Sequence, residues 1–166
     1  MAVREILEYP DPRLQETSAP VETFDDRLEQ TVSDLVETLH AHASIGLSAP
    51  QIDVRRQILV MDHSEDRSDP QVFINPVILD KGRYGLVEER CLSVPDIVAH
   101  VFRATEIRVR AVDPRGESFE RPLSGMPAVC LQHEMDHFDG KLLVDRINWF
   151  RRRRLLASLR KDRATA

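Results

Sequence analysis

The sequence predicts an α+β fold, on three observations. An amphipathic helical stretch lies near the start, a series of short apolar runs bounded by turn signals fills the middle, and two more helical stretches close the chain. Strands and helices do not alternate, so a parallel α/β sheet is not expected. The first helix is expected from about Asp25 to Ala43, because Leu28, Val32, Leu35, Val36, Leu39 and Ala43 recur at three- and four-residue steps. Before it, Thr17 to Phe24 is irregular, and after it Pro50 marks that the helix has stopped.

Strands are expected at Gln57 to Met61, Val72 to Leu79, Tyr84 to Val94 and Thr105 to Val112. The turn signal Asp113-Pro114-Arg115-Gly116 makes Glu117 to Leu123 the hairpin partner of the last of these, and His63 to Pro70 reads as a polar loop. The second helix should begin near Pro127, since proline is tolerated in a first turn, and stop before Asp139-Gly140. A third, about Ile147 to Arg160, follows.

The 166 residues suit one catalytic domain spanning 1–166, with a basic helix and tail from about 147 to 166. Apolar residues at 42% and charged residues at 31% are the mixture of a water-soluble globular chain. No apolar run approaches the ~20 residues of a membrane span, and the acidic residues and Pro10 near the start interrupt what would be a signal-peptide core. A cytoplasmic location is expected, and with it no disulfide between the two cysteines, Cys91 and Cys130. The net charge of −5 hides an asymmetry. From Arg146 onward there are eight basic residues, including Arg151 to Arg154, against one acid, Asp162, while the remainder carries 15 basic and 27 acidic residues. An anionic partner such as RNA fits that end, and so does a solvated basic face; neither membrane nor DNA is expected as a partner.

The chemistry-bearing segment is His133-Glu134-Met135-Asp136-His137 on the second helix. Two histidines four residues apart differ by only about 40° around a helix axis and lie about one turn apart, so both rings can reach one metal ion. Glu134 then stands beside the first ligand, within reach of a water without being a ligand itself. The extended protease motif HExxHxxGxxH has its Gly at 140 but Leu143 in place of the final His. After His137 the chain contains no Glu, His or Cys, so the third ligand lies upstream unless it is a downstream Asp. His40 and His42 sit on a helix flank, His63 in a polar loop and His100 at a strand end; Cys91, where a strand meets Ser93-Val94-Pro95, is better placed to face a helix. Cys–His–His with an open fourth position is a catalytic donor set, soft enough for ferrous iron, zinc, cobalt or nickel.

Three segments carry a family resemblance: Ser44-Ile45-Gly46-Leu47-Ser48-Ala49-Pro50-Gln51, Glu89-Arg90-Cys91-Leu92-Ser93, and Gln132-His133-Glu134-Met135-Asp136-His137-Phe138-Asp139-Gly140. In order and spacing they resemble the peptide deformylase motifs GxGLAAPQ, EGCLS and QHExDHLDG. The flanks ILEYPDPRL, INPVIL and KLLVDRI fit as well, so the likeness covers nearly the whole chain. The resemblance implies antiparallel or mixed sheets around a central HExxH helix, with an N-terminal and a C-terminal helix. It implies removal of the formyl group from the N-terminal methionine of nascent chains. By the same resemblance Cys91, His133 and His137 hold one divalent metal, ferrous iron foremost with zinc, nickel or cobalt as alternatives. Glu134 moves the proton of the attacking water, and the Gln51 amide and Leu92 backbone N–H stabilise the oxyanion. Gly46 pairs with an extended peptide; Ile45, Val129 and Cys130 line the methionine pocket beside His133; Glu89 and Arg90 stand on the substrate side. The basic C-terminus fits contact with the ribosome.

Among the departures from the motifs, Ser44 and Arg90 replace glycines and Ser48 replaces an alanine. Arg90 either turns its long stem to solvent, paired with Glu88 or Glu89, or narrows the cleft and meets a substrate carboxylate. The second case leaves open an amidase of the same fold acting on another N-acyl group, and the basic tail leaves open a non-catalytic relative that binds nascent chains or ribosomes.

Overall fold

The computed structural model describes residues 2–164, with side chains as far as residue 157. Helix α1 (Asp26–Ala41) starts where the Asp25 carboxylate accepts from the N–H groups of Arg27 and Leu28, closing two donors that the first turn leaves unpaired. Leu28, Leu35 and Leu39 form its buried stripe. It stops two residues short of the expected Ala43, which is exposed and takes a φ of +50° that breaks the helical path.

Five strands follow: β1 (Gly46–Ser48), β2 (Ile58–Met61), β3 (Gln71–Cys91), β4 (Val94–Val112) and β5 (Ser118–Ser124). They make one sheet in the order β1-β2-β3-β4-β5, every pairing antiparallel, rather than a mixed arrangement. β2 explains its own uninterrupted apolar run. Ile58 and Val60 pack toward α1, while Leu59 and Met61 pack on the opposite face toward the second long helix. A strand covered on both faces needs no polar alternation.

Three expected boundaries require correction. Val72 to Leu79 and Tyr84 to Val94 belong to one strand, β3, joined through the polar stretch Asp80-Lys81-Gly82-Arg83, which pairs with β4 at Asp80↔Arg108, Lys81↔Ile107 and Gly82↔Glu106. The second of these ends at Cys91, not Val94, because Leu92 and Ser93 make a two-residue turn closed by the pair Cys91↔Val94. β4 therefore begins at Val94, well before the expected Thr105. β1 and the short 3-10 turn Ala49–Ile52 after it carry too few residues to show a period and are additions to the sequence reading.

Helix α2 (Met126–Phe138) has Pro127 in its first turn and lies across the sheet, buried almost throughout. Just past its end Gly140 takes a φ of +66° that suits glycine, where an added Cβ would collide with the Gln15 carbonyl. A 3-10 turn, Leu143–Arg146, leads to α3 (Trp149–Ala164). This helix begins two residues later than expected because Asn148 caps it, accepting from the Arg151 N–H at 2.9 Å. Leu155 and Leu156 pack under the end of the β3–β4 hairpin, while Trp149 and Phe150 are exposed. No helix among the described residues is long and apolar enough to cross a membrane.

Candidate active site

The tight turn between β3 and β4 presses its Cys91 end against the middle of α2. Three candidate ligand atoms meet there, from Cys91, His133 and His137, all buried and all within 4.8 Å of one another. The two rings, one helical turn apart, have centroids 5.4 Å apart at an interplanar angle of 70°, and Cys91 Sγ lies 3.5 Å from His137 Nε2. His40, His42, His63 and His100 lie outside this group; His40 is taken by Asp62 at 2.9 Å.

The donor set fits a divalent ion. His133 Nδ1 meets Glu89 Oε2 at 2.8 Å, which assigns the ring's proton to that side and leaves Nε2 to face Cys91. Burial holds the His137 imidazole well below its usual pKa, so it stays neutral as a ligand must. Glu134 Oε2 is buried without a hydrogen-bond partner, an acceptor aimed into the same space.

Behind His133 lies a run of alternating charge. Both Glu89 oxygens accept from Arg103, at 2.7 and 3.1 Å, and Arg103 Nη1 donates to Asp136 Oδ2 at 2.8 Å. Asp136 also accepts from Arg146. Although burial pushes the Glu89 carboxyl up, the hydrogen bonds from His133 and Arg103 hold it at about 2, ionised at neutral pH. Glu89, expected on the substrate side, thus has both oxygens turned to His133 and Arg103.

The catalytic-side groups surround the ligands. Burial raises the Glu134 carboxyl, against the pull of His133. The Gln51 amide has a fixed orientation: its oxygen accepts from the Ser48 N–H and hydroxyl, both at 2.9 Å. Its Nε2 therefore points to Ser93 Oγ at 3.1 Å and toward Cys91 Sγ at 3.8 Å. Gly46 is packed closely, since an added Cβ would push against Cys130 Sγ and lie 2.9 Å from Glu134 Oε1. Cys130 is a buried free thiol, held neutral by burial and then by Glu134 and Glu89, with Sγ 3.7 Å from the Ile45 carbonyl oxygen.

A cleft of about 600 Å³ opens onto these residues. Ile45, Gly46, Glu89, Arg90, Val129 and Cys130 line it with Cys91, Leu92, His133 and Glu134, whereas Gln51 and His137 are buried and not among the lining residues. Arg90 stands at the mouth with its side chain 75% exposed and 3.6 Å from Glu88, turned to solvent. Arg103, Asp136, Arg146 and Ser93 were not singled out from the sequence. For Arg103 a signal existed, because it shares the inward parity of Ile97, Ala99, Val101, Ile107 and Val109 along β4.

An antiparallel sheet crossed by an HExxH helix, with a thiolate from a hairpin end completing the ligand set, defines a metal-dependent amide hydrolase. Residues 3–153 match the family model for polypeptide deformylase. The peptide deformylase of Neisseria gonorrhoeae is 44% identical over 161 residues, covering 97% of this chain and 96% of the relative. That of Hahella chejuensis is 47% identical over 164 residues, covering 98% and 97%. The crystal structure of a peptide deformylase from Legionella pneumophila superposes with a TM-score of 0.91 at 39% identity, over 99% of both chains. The chain belongs to the peptide deformylase family.

Proposed function

We propose that the protein hydrolyses the N-formyl amide at the N-terminal methionine of newly made polypeptides, releasing formate, in the cytoplasm. The observation that carries this reading is the buried Cys91–His133–His137 group with an unpartnered Glu134 oxygen beside it. A bound divalent ion would polarise the formyl oxygen and acidify a coordinated water. Ferrous iron is the proposed native ion, since one thiolate and two imidazoles suit it, with zinc, nickel and cobalt able to substitute.

Glu134 takes the proton of the attacking water and passes it to the departing amine. Gln51 Nε2 and the Leu92 backbone N–H donate to the oxygen on which negative charge develops. Gly46 pairs with the peptide backbone as an added strand would. Ile45, Val129 and Cys130 receive the methionine side chain, Glu89 serves His133 and not the peptide, and Arg90 borders the outer cleft. Arg151 and Arg154, exposed on one face of α3, contact ribosomal RNA.

The deciding experiment is an anaerobic formate-release assay of the iron-loaded protein on formyl-, acetyl- and longer-acyl-methionyl peptides, with metal analysis of the same sample. Formyl peptides should be turned over fastest, at one metal per chain. Faster turnover of an acetyl peptide would reassign the substrate.

A further inference from the structure

Arg146 lies outside the cleft, at the end of the 3-10 turn that precedes α3. It is nevertheless joined to His133 through an unbroken run of charged contacts. Its Nε donates to Asp136 Oδ2 at 2.9 Å while Nη2 contacts Oδ1, so one guanidinium grips both oxygens. Asp136 sits on α2 immediately before His137 and accepts from Arg103, which in turn holds Glu89, which holds His133.

We propose that Arg146 is a positioning residue for the metal centre: by clamping Asp136 it keeps Arg103 seated on Glu89, and thereby fixes the ring of His133 for ligation. The inference rests on Cys91, His133 and His137 being the metal ligands.

The charge arrangement supplies the reason. Glu89 and Asp136 are two buried carboxylates that share Arg103, itself only 4% exposed. Arg103 divides its donors between them, with Nε and Nη2 on Glu89 and Nη1 on Asp136. One cation cannot balance two buried anions, and an uncompensated buried charge is costly. Arg146 supplies the second cation. Without it, Asp136 competes with Glu89 for Arg103, and the Glu89 carboxylate is freed from the geometry that holds the His133 Nδ1–H. Partners behind a ligating histidine typically contribute about 10- to 100-fold in metal affinity. A two-point fork sets direction as well as charge, and lysine cannot reproduce that.

A neighbouring ion pair distinguishes this role from simple anchoring of the C-terminal segment. Arg152 on α3 meets Asp145 at 2.8 Å, joining the same helix to the same turn, but leads to no ligand. Cobalt(II) release into excess chelator should therefore be timed for the wild type, Arg146→Met, Arg146→Lys and Arg152→Ala, with the apo-protein melting curve and the kcat and KM of each. The wild-type cobalt protein should show a thiolate–cobalt absorption band that Cys91→Ser abolishes; its absence would mark failure of the ligand assignment itself. Given that band, Arg146→Met should release cobalt at least about tenfold faster, with kcat lowered and KM unchanged. Arg146→Lys should fall between it and the wild type, and Arg152→Ala should release at the wild-type rate. Wild-type release from Arg146→Met, or equal acceleration by Arg152→Ala, overturns the proposal. Should Arg146→Met not fold, wild-type release from Arg146→Lys overturns it.

Discussion

A glutamate that shuttles a proton has to be basic enough to take it and must hold it until the amine leaves. Glu134 is buried, raised in pKa by that burial, and unpaired at Oε2. Glu134→Gln keeps the volume and hydrogen-bonding capacity but not the basicity. It should keep the metal and lose at least ~100-fold in kcat; near-normal turnover of a formylmethionyl peptide would remove Glu134 from that role. Ser48 is a subtler case. Where the family motif has alanine, its hydroxyl adds a second donor to the Gln51 oxygen that its own N–H already holds. Ser48→Ala leaves one donor in place, so kcat should fall by no more than about tenfold, the size of one hydrogen bond, with KM unchanged. A loss confined to KM would show that Ser48 acts on peptide binding instead. Arg90, which stands where the motif has glycine, is exposed and its contact with Glu88 is a surface pair. Exposed pairs contribute about 1 kcal/mol at most, so Arg90→Gly should alter kcat/KM by less than about fivefold on any formyl peptide of a panel.

The elements that position these side chains were legible to different degrees, for physical reasons. α1 and α2 announce themselves through period and caps, and their observed bounds lie within two residues of the expected ones. The ligand residues were legible because helical spacing alone brings His133 and His137 together, and because Cys91, where a strand run meets Ser93-Val94-Pro95, was better placed to face that helix than the upstream histidines. The long β3–β4 hairpin was not legible as one unit. Asp80 to Arg83 lacks apolar alternation, and ladder pairing with β4, a long-range effect, carries the strand through it. The ion network that ties this hairpin to α2 was hidden likewise, since Glu89, Arg103 and Asp136 are far apart in sequence and meet only after the sheet forms. That network has a measurable pH signature. Folding depresses the Glu89 carboxyl from its ordinary 4.5 to about 2, so the folded state binds that proton more weakly than the unfolded chain does. The stabilisation is complete above 4.5 and drains away as pH falls toward about 2. In urea unfolding of the metal-free protein, Glu89→Gln should therefore cost on the order of 3 kcal/mol at neutral pH. The deficit should shrink through that acidic window; a constant deficit down to pH 2 would mean that Glu89 stabilises by packing alone.

At the scale of the whole molecule, an acidic body carries the cleft and basic residues gather toward the C-terminal end. Four consecutive arginines, Arg151 to Arg154, cannot all face one surface, because successive helical residues turn by about 100°. Their contacts separate them further. Arg152 is paired with Asp145, and Arg153 lies over the Trp149 ring, 5.5 Å from its centroid. Arg151 and Arg154, three residues apart and so on one face, border the same groove as His100 between β4 and α3. The proposed contact with ribosomal RNA should run through that pair. In co-sedimentation with ribosomes over a series of KCl concentrations, each phosphate contact contributes roughly 0.7 to 0.9 to the slope of log K against log salt. Reversing both charges, Arg151→Glu with Arg154→Glu, should lower that slope by about 1.4 to 1.8, whereas Arg152→Ala should change it little. Equal slopes for the double variant and the wild type would leave the basic helix as a solvated face, and the cleft would then meet its formylated chains by diffusion.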